Sequence, residues 1–157
     1  MKRHRNHKRR HKRNKKGVSL KWSALWIGIH AISLFLVWMA LEALNVTHAL
    51  WYVLLTGLGV TLIAKVVRMY TRKKRFKLDE YFFFWSVANA FTIWIAGLIW
   101  AALGITNLLA LMLLTGLALV AASYAIMQTR PRRNQRVFAA IAMLLIIIFF
   151  TWLRWLL

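Results

Sequence analysis

The sequence has no cysteine, only three carboxylates and a single proline among its 157 residues. Without cysteine there is neither a disulfide framework nor thiolate chemistry. The acids are Glu42, Asp79 and Glu80, and two of them are adjacent, so no buried carboxylate pair is available for acid–base work. A Ser/His/Asp set, a Cys/His cluster and a glycine-rich phosphate loop are missing as well. The chain therefore reads as a non-enzyme, with no catalytic residue, metal or cofactor expected. The lone Pro131 falls outside the long apolar stretches and leaves them unbroken.

Apolar surface is plentiful. Hydrophobic residues make up 61% of the chain and 9 residues are tryptophan, more than a water-soluble domain of this size can hide. Five stretches of about twenty nearly all-apolar residues match, as helices, the ~30 Å hydrocarbon core of a bilayer. Helices satisfy their own backbone in lipid, and the period-2 alternation of a barrel is absent. The expectation is an all-α, polytopic membrane bundle with spans at roughly residues 23–44, 48–70, 80–103, 107–129 and 137–154. The apolar run from Ser23 to Leu44 is long for a secretory signal, and Met39 to Leu44 offers no small-x-small cleavage site, so it reads as a retained helix.

Net charge is +20, and its placement says more than its total. Eleven Lys and Arg precede the first span: Lys2, Arg3, Arg5, Lys8, Arg9, Arg10, Lys12, Arg13, Lys15, Lys16 and Lys21. Seven surround the second connection (Lys65, Arg68, Arg72, Lys73, Lys74, Arg75 and Lys77), and Arg130, Arg132, Arg133 and Arg136 occupy the fourth. The first and third connections have none. With five spans, all but Arg154 fall on one side, and the positive-inside rule makes that side the cytoplasm, N-in and C-out. Trp22, Trp26, Tyr70, Tyr81 and Trp85 are expected at the inner boundary, and Trp51, Tyr52, Trp100, Trp152 and Trp155 at the outer one.

Residues 1–21 form a self-repelling block expected to be disordered in isolation. Beyond its topogenic role, so dense a tail suits anionic headgroups, at about 1 kcal/mol per cation near the surface, or an acidic partner. Together with Arg72, Lys73, Lys74 and Arg75 it forms the expected contact surface. Nucleic acid or the ribosome is a weaker candidate partner, because the tail has no aromatic residue to stack on bases. His4, His7 and His11 would share a helix face, but the surrounding cations oppose a divalent metal.

The two hairpins resemble copies of one another. Shifting the chain by 59 residues aligns Trp26 with Trp85 and Leu54-Leu-Thr-Gly-Leu58 with Leu113-Leu-Thr-Gly-Leu117. Five consecutive identities at one depth in corresponding spans point to two parallel hairpin repeats plus one extra helix. Within them Thr56, Gly57, Thr115, Gly116, Ala118 and Ala122 make small-residue stripes, which permit close helix approach and assembly with other subunits or with itself. On helix four the stripe extends to Ala125.

His30 in the first span, Trp51-Tyr52, and Gly57-Leu-Gly59 opening the second half of the hairpin carry a resemblance to the bacterial two-helix "2TM domain" family, over roughly residues 20–75. The second hairpin keeps less of the pattern, with Asn89 at the histidine position and Ala110-Leu111 at the aromatic one. The resemblance implies a module that occurs alone or attached to signalling domains, with no reaction of its own.

Polar residues within spans are functional candidates by default. His30 aligns with Asn89 and His48 with Asn107 under the repeat, and asparagine can hydrogen-bond but cannot titrate near neutrality. That favours interhelical contacts over a proton relay or haem ligand. Glu42 lies about one turn from a span end and reads as a group reaching the outer interface. The expected role is a scaffold or interaction subunit; a small transporter or channel is the alternative. Ser33, Thr92, Asn89 and His30 lining one cavity would favour transport, and the same residues facing separate neighbours would count against it.

Overall fold

The computed structural model describes residues 20–72, 80–129 and 131–156, as five helices. They are α1 (Leu20–Ala43), α2 (Ala49–Arg72), α3 (Glu80–Ala102), α4 (Leu108–Thr129) and α5 (Arg133–Leu156). Each is long and apolar enough to cross a membrane, with an 18-residue stretch whose mean hydropathy lies between 1.7 and 2.4.

The two short connections are built alike. Asn45 (φ 51°) and Gly104 (φ 67°) turn left-handed one residue beyond the cap of α1 and α3. Val46 N–H then donates to Leu41 C=O and Asn45 N–H to Glu42 C=O, closing the end of α1. Ile105 to Trp100 and Gly104 to Ala101 repeat the pattern at the end of α3. This is the Schellman arrangement, which supplies partners for the last carbonyls of a helix. It needs a residue that tolerates positive φ, which glycine and asparagine do. Gly104 has open space around its missing Cβ, so Gly104→Ala should cost about 1 kcal/mol from conformation alone. Asn45→Gly should be neutral or slightly stabilising, and unfolding in detergent would rank the two.

At the start of α4, Asn107 Oδ1 accepts the Ala110 N–H at 3.1 Å, an N-cap bond. The start of α5 departs from expectation. Gln135 Oε1 reaches back 2.9 Å to accept the Arg132 N–H, the reciprocal half of a capping box. Helix therefore begins at Arg133, and Arg133 to Arg136, expected in a loop, form its first turn.

α1 packs on α2 and α4, and α3 also packs on α2 and α4, so the first four helices close a ring. α5 lies outside it against α3, with a lesser contact to α2. At the centre Leu34 of α1, Val60 of α2 and Leu119 of α4 are buried together, with Ile93 of α3 packed against them. One aliphatic side chain from each ring helix fills the middle. α3, covered on three sides, buries Phe82, Phe84, Trp85, Ser86, Ala88, Asn89, Ala90 and Ala96. Outward, large apolar side chains stand exposed, with Ile32 at 62%, Phe83 at 64% and Phe138 at 76%. A surface of this kind suits lipid as solvent better than water.

The seams run at the stripe glycines. A Cβ on Gly57 would lie 2.5 Å from Ala90 Cβ and 2.6 Å from Ala90 N, so α2 and α3 touch backbone to backbone. A Cβ on Gly116 would lie 3.0 Å from Ile27 O and 3.4 Å from Ala31 N, bringing α4 against α1. Each glycine replaces side-chain bulk with helix approach.

Candidate functional site

One end of the bundle collects the cations of the described residues outside the C-terminal turn of α5. The Arg68 guanidinium of α2 sits over the Trp26 ring of α1 at 4.9 Å, and Lys65 Nζ sits over the Phe82 ring of α3 at 4.9 Å. Arg133 forks onto Glu80, with Nε donating to Oε2 at 2.8 Å and Nη2 to Oε1. Arg136 stacks on Tyr81 at 5.2 Å. These contacts bring the N-terminal ends of α1, α3 and α5 together with the C-terminal end of α2. Ile126 and Met127 of α4 line a cavity with Tyr81 and so join the same end. The exposed Glu80–Arg133 pair contributes about 0–1 kcal/mol, so its value is positional: it ties the start of α5 to the start of α3.

The expected lipid or partner contacts Lys2, Arg3, Arg5, Lys8, Arg9, Arg10, Lys12, Arg13, Lys15, Lys16, Lys73, Lys74 and Arg75 lie outside the described residues. Arg72 is the last residue of α2, at the basic end.

The polar side chains of the interior go to separate partners. His30, 5% exposed, has Nδ1 2.7 Å from Trp26 C=O in its own helix. A carbonyl only accepts, so Nδ1 carries the proton. Ser33 donates to Ile29 C=O at 2.7 Å and Thr92 to Ala88 C=O at 2.8 Å. Asn89 alone of the four reaches across, with Nδ2 donating to Thr61 Oγ1 at 2.8 Å while Thr61 donates to Gly57 C=O. Such interhelical bonds are worth about 0.6 kcal/mol on average. Asn89→Leu should therefore destabilise by about 1 kcal/mol without unfolding the bundle, as equilibrium unfolding in bicelles would measure.

Of the stripe residues, Thr56, Gly57, Thr115 and Gly116 are buried, Ala118 and Ala122 are half-buried and Ala125 is exposed. Thr56 donates to Tyr52 C=O at 2.6 Å, whereas Thr115 accepts the Trp100 indole N–H at 3.2 Å. Glu42 and His48 are exposed at the opposite end. Among the described residues no group of three His, Asp or Glu could hold a metal ion.

Two of the aromatics expected at the inner boundary sit at the basic end but are covered by neighbouring helices or side chains. Trp85 is buried, only 8% exposed, because α2, α4 and α5 all pack on α3. Trp26 is half-buried beneath Arg68. Trp22 and Tyr70 remain exposed.

The cavity beside Trp85 was not foreseen. It measures about 240 Å³ and is lined by Tyr81, Phe84, Trp85, Ile126, Met127, Pro131 and Arg136. A second recess of about 190 Å³, lined by Glu80, Phe83, Phe84, Arg136, Val137 and Ala140, opens between α3 and α5. Phe84 and Arg136 belong to both. The cavity carries no sequence signal of its own, since its walls come from three helices whose adjacency is set by packing. A third recess of about 230 Å³ lies between α3 and α4 and is almost wholly apolar.

Comparison with family models, with curated proteins and with solved structures finds no match for this chain.

Proposed function

We propose that the chain is a multi-pass integral membrane protein, N-terminus in the cytoplasm, that acts as a scaffold or interaction subunit through a basic cytoplasmic face. That face binds anionic lipid headgroups or an acidic partner. The observation that carries this reading is charge segregation: Lys21, Arg68, Arg133 and Arg136 gather at the end to which the tail connects, and the tail adds ten further cations from Lys2 to Lys16. A membrane protein holds such an asymmetry against the cytoplasmic leaflet.

A binding role also fits the interior better than transport or catalysis does. The middle of the ring is filled by Leu34, Val60, Ile93 and Leu119, whereas a solute path needs polar, hydrated surface near the midplane. His30, Ser33, Asn89 and Thr92 satisfy separate partners, and only Thr92 lines any of the three cavities described above, the almost wholly apolar one between α3 and α4. With three carboxylates, two of them adjacent at one helix start, and no cysteine, the chain offers neither a buried carboxylate dyad nor a thiolate.

Duplication of an ancestral hairpin is part of the same proposal. Several features support it at positions 59 apart: the turns at Asn45 and Gly104, the seams of Gly57 on Ala90 and Gly116 on Ala31, and the central pairs Leu34/Ile93 and Val60/Leu119. Under this reading the two halves are related by an axis along the membrane normal, and α5 is an addition. The resemblance of residues 20–75 to the 2TM domain family fits a module that serves association rather than chemistry.

The test places the full chain in neutral-lipid nanodiscs and measures co-sedimentation with anionic vesicles before and after deletion of residues 2–16. Strong capture that the deletion abolishes is the expected result. Capture unchanged by the deletion at low salt would remove the reading.

A further inference from the structure

The cavity beside Trp85 differs from its counterpart in the other hairpin in a way that defines a ligand. In the first hairpin the Arg68 guanidinium covers the Trp26 ring. Shifted by 59 residues, Trp26 becomes Trp85 and Arg68 becomes Met127. Met127 lines an open space next to Trp85, and the cation there comes from Arg136 of α5. Trp85 is 92% buried by its 8% exposure, and its indole N–H has no acceptor among the described residues. A buried donor without a partner is costly, and indole and guanidinium can only donate. The residues with a charged or polar group that line this cavity are Arg136, Trp85 and Tyr81, set among Phe84, Ile126, Met127 and Pro131, and the Trp85 nitrogen is enclosed in the wall.

Such a site calls for an anionic acceptor attached to something apolar. Glu80 lines the adjoining recess but is held by two nitrogens of Arg133, Nε and Nη2. Arg136 makes no ion pair with a carboxylate among the described residues, and its guanidinium lies over the Tyr81 ring. The recess continues from Arg136 along Phe83, Phe84, Val137 and Ala140, an apolar track between α3 and α5 that opens to the outside of the bundle.

We propose that this cavity binds the phosphate headgroup of one anionic phospholipid, with Arg136 as the charged donor, the Trp85 N–H as a second donor once the indole tilts into the cavity, and an acyl chain lying in the α3–α5 recess. Arginine matches phosphate geometry with its planar fork. The proposal rests on the basic end facing anionic headgroups but is independent of the tail, because the site is built within the bundle.

The experiment measures lipid retention by native mass spectrometry on the full chain in detergent at about 0.5 M salt, where the tail's long-range attraction is screened. Phosphatidylglycerol should remain bound as a single copy, and phosphatidylcholine should bind at least about tenfold more weakly. Arg136→Gln should lower phosphatidylglycerol affinity by about tenfold or more, as expected for a charge-assisted bond. Trp85→Phe keeps the ring but loses the donor, and should lower it by about three- to tenfold. Inorganic phosphate at millimolar concentration should not displace the lipid; displacement would assign the site to free phosphate and overturn the lipid proposal. Melting temperatures in lipid-free detergent should match the wild type for both variants, and Arg136→Lys serves as the folding-neutral substitute if Arg136→Gln melts early. Equal retention of both lipids, or retention unchanged in both variants, would overturn the proposal, water then being the occupant. If deletion of residues 2–16 abolishes vesicle capture but not this retention, the two lipid-binding elements are separate, as expected. If retention also disappears with the tail, the proposal for Arg136 fails while the tail reading stands.

Discussion

Gly57→Ala should unfold the protein under conditions in which Gly97→Ala leaves it intact. A methyl group at residue 57 would stand 2.5 Å from Ala90 Cβ, 2.6 Å from its nitrogen and 2.7 Å from its Cα. Two of these three atoms are backbone of α3, so no rotamer change relieves the overlap, and α2 and α3 must separate along their length. This is the most extensive contact between two helices in the bundle. Overpacking costs about 1–3 kcal/mol where side chains can yield. Here nothing yields cheaply, and a loss of about 3 kcal/mol or more is expected. Separation would also strain the Asn89–Thr61 bond, which lies one turn from this contact on the same seam. Alanine's better helix propensity, worth about 1 kcal/mol over glycine, offsets only part of the loss. Gly97 meets nothing within 4 Å, so the same change there gains the propensity at no steric cost. Gly59→Ala is intermediate, because its nearest neighbours are the γ carbons of Val37 rather than backbone. The measurement is reversible unfolding in bicelles followed by far-UV circular dichroism; similar curves for the changes at 57 and 97 would refute the close contact.

The number of helices and their order were legible in the sequence because each span leaves a local mark. A twenty-residue apolar run marks a span. The first turn of α5 was missed because it depends on a single back-bond from Gln135, hidden in a run of arginines. The burial of Trp85 was not legible for a different reason. In Tyr81-Phe-Phe-Phe-Trp85 every face of the helix is aromatic, so periodicity cannot say which face is covered. Only the third neighbour, α5, decides it. The same holds for the Glu80–Arg133 pair, whose members are 53 residues apart, and for the cavity beside Trp85, which exists because three helices converge. Properties carried by one helix were readable; properties shared between helices were not.

Removing residues 2–16 should weaken capture of anionic vesicles by more than about a hundredfold at low salt. Ten cations lie in that stretch, and each is worth about 1 kcal/mol when held near an anionic surface. Simultaneous engagement of all ten is not required: three at a time give about 3 kcal/mol, which corresponds to a factor of about 150. Neutralising Arg72, Lys73, Lys74 and Arg75 instead should have the smaller effect, since there are only four of them and the connection is anchored at both ends by α2 and α3. Salt separates the charge contribution from any apolar one. The Debye length falls from about 10 Å at 0.1 M to about 3 Å at 1 M, so capture by the intact chain should fade towards that of the deleted chain as salt rises. Because the tail has no aromatic residue, a competing polyanion should act through its phosphates alone, and single-stranded RNAs of different sequence should displace vesicles equally. Binding that persists at 1 M salt would mean the tail works by something other than charge.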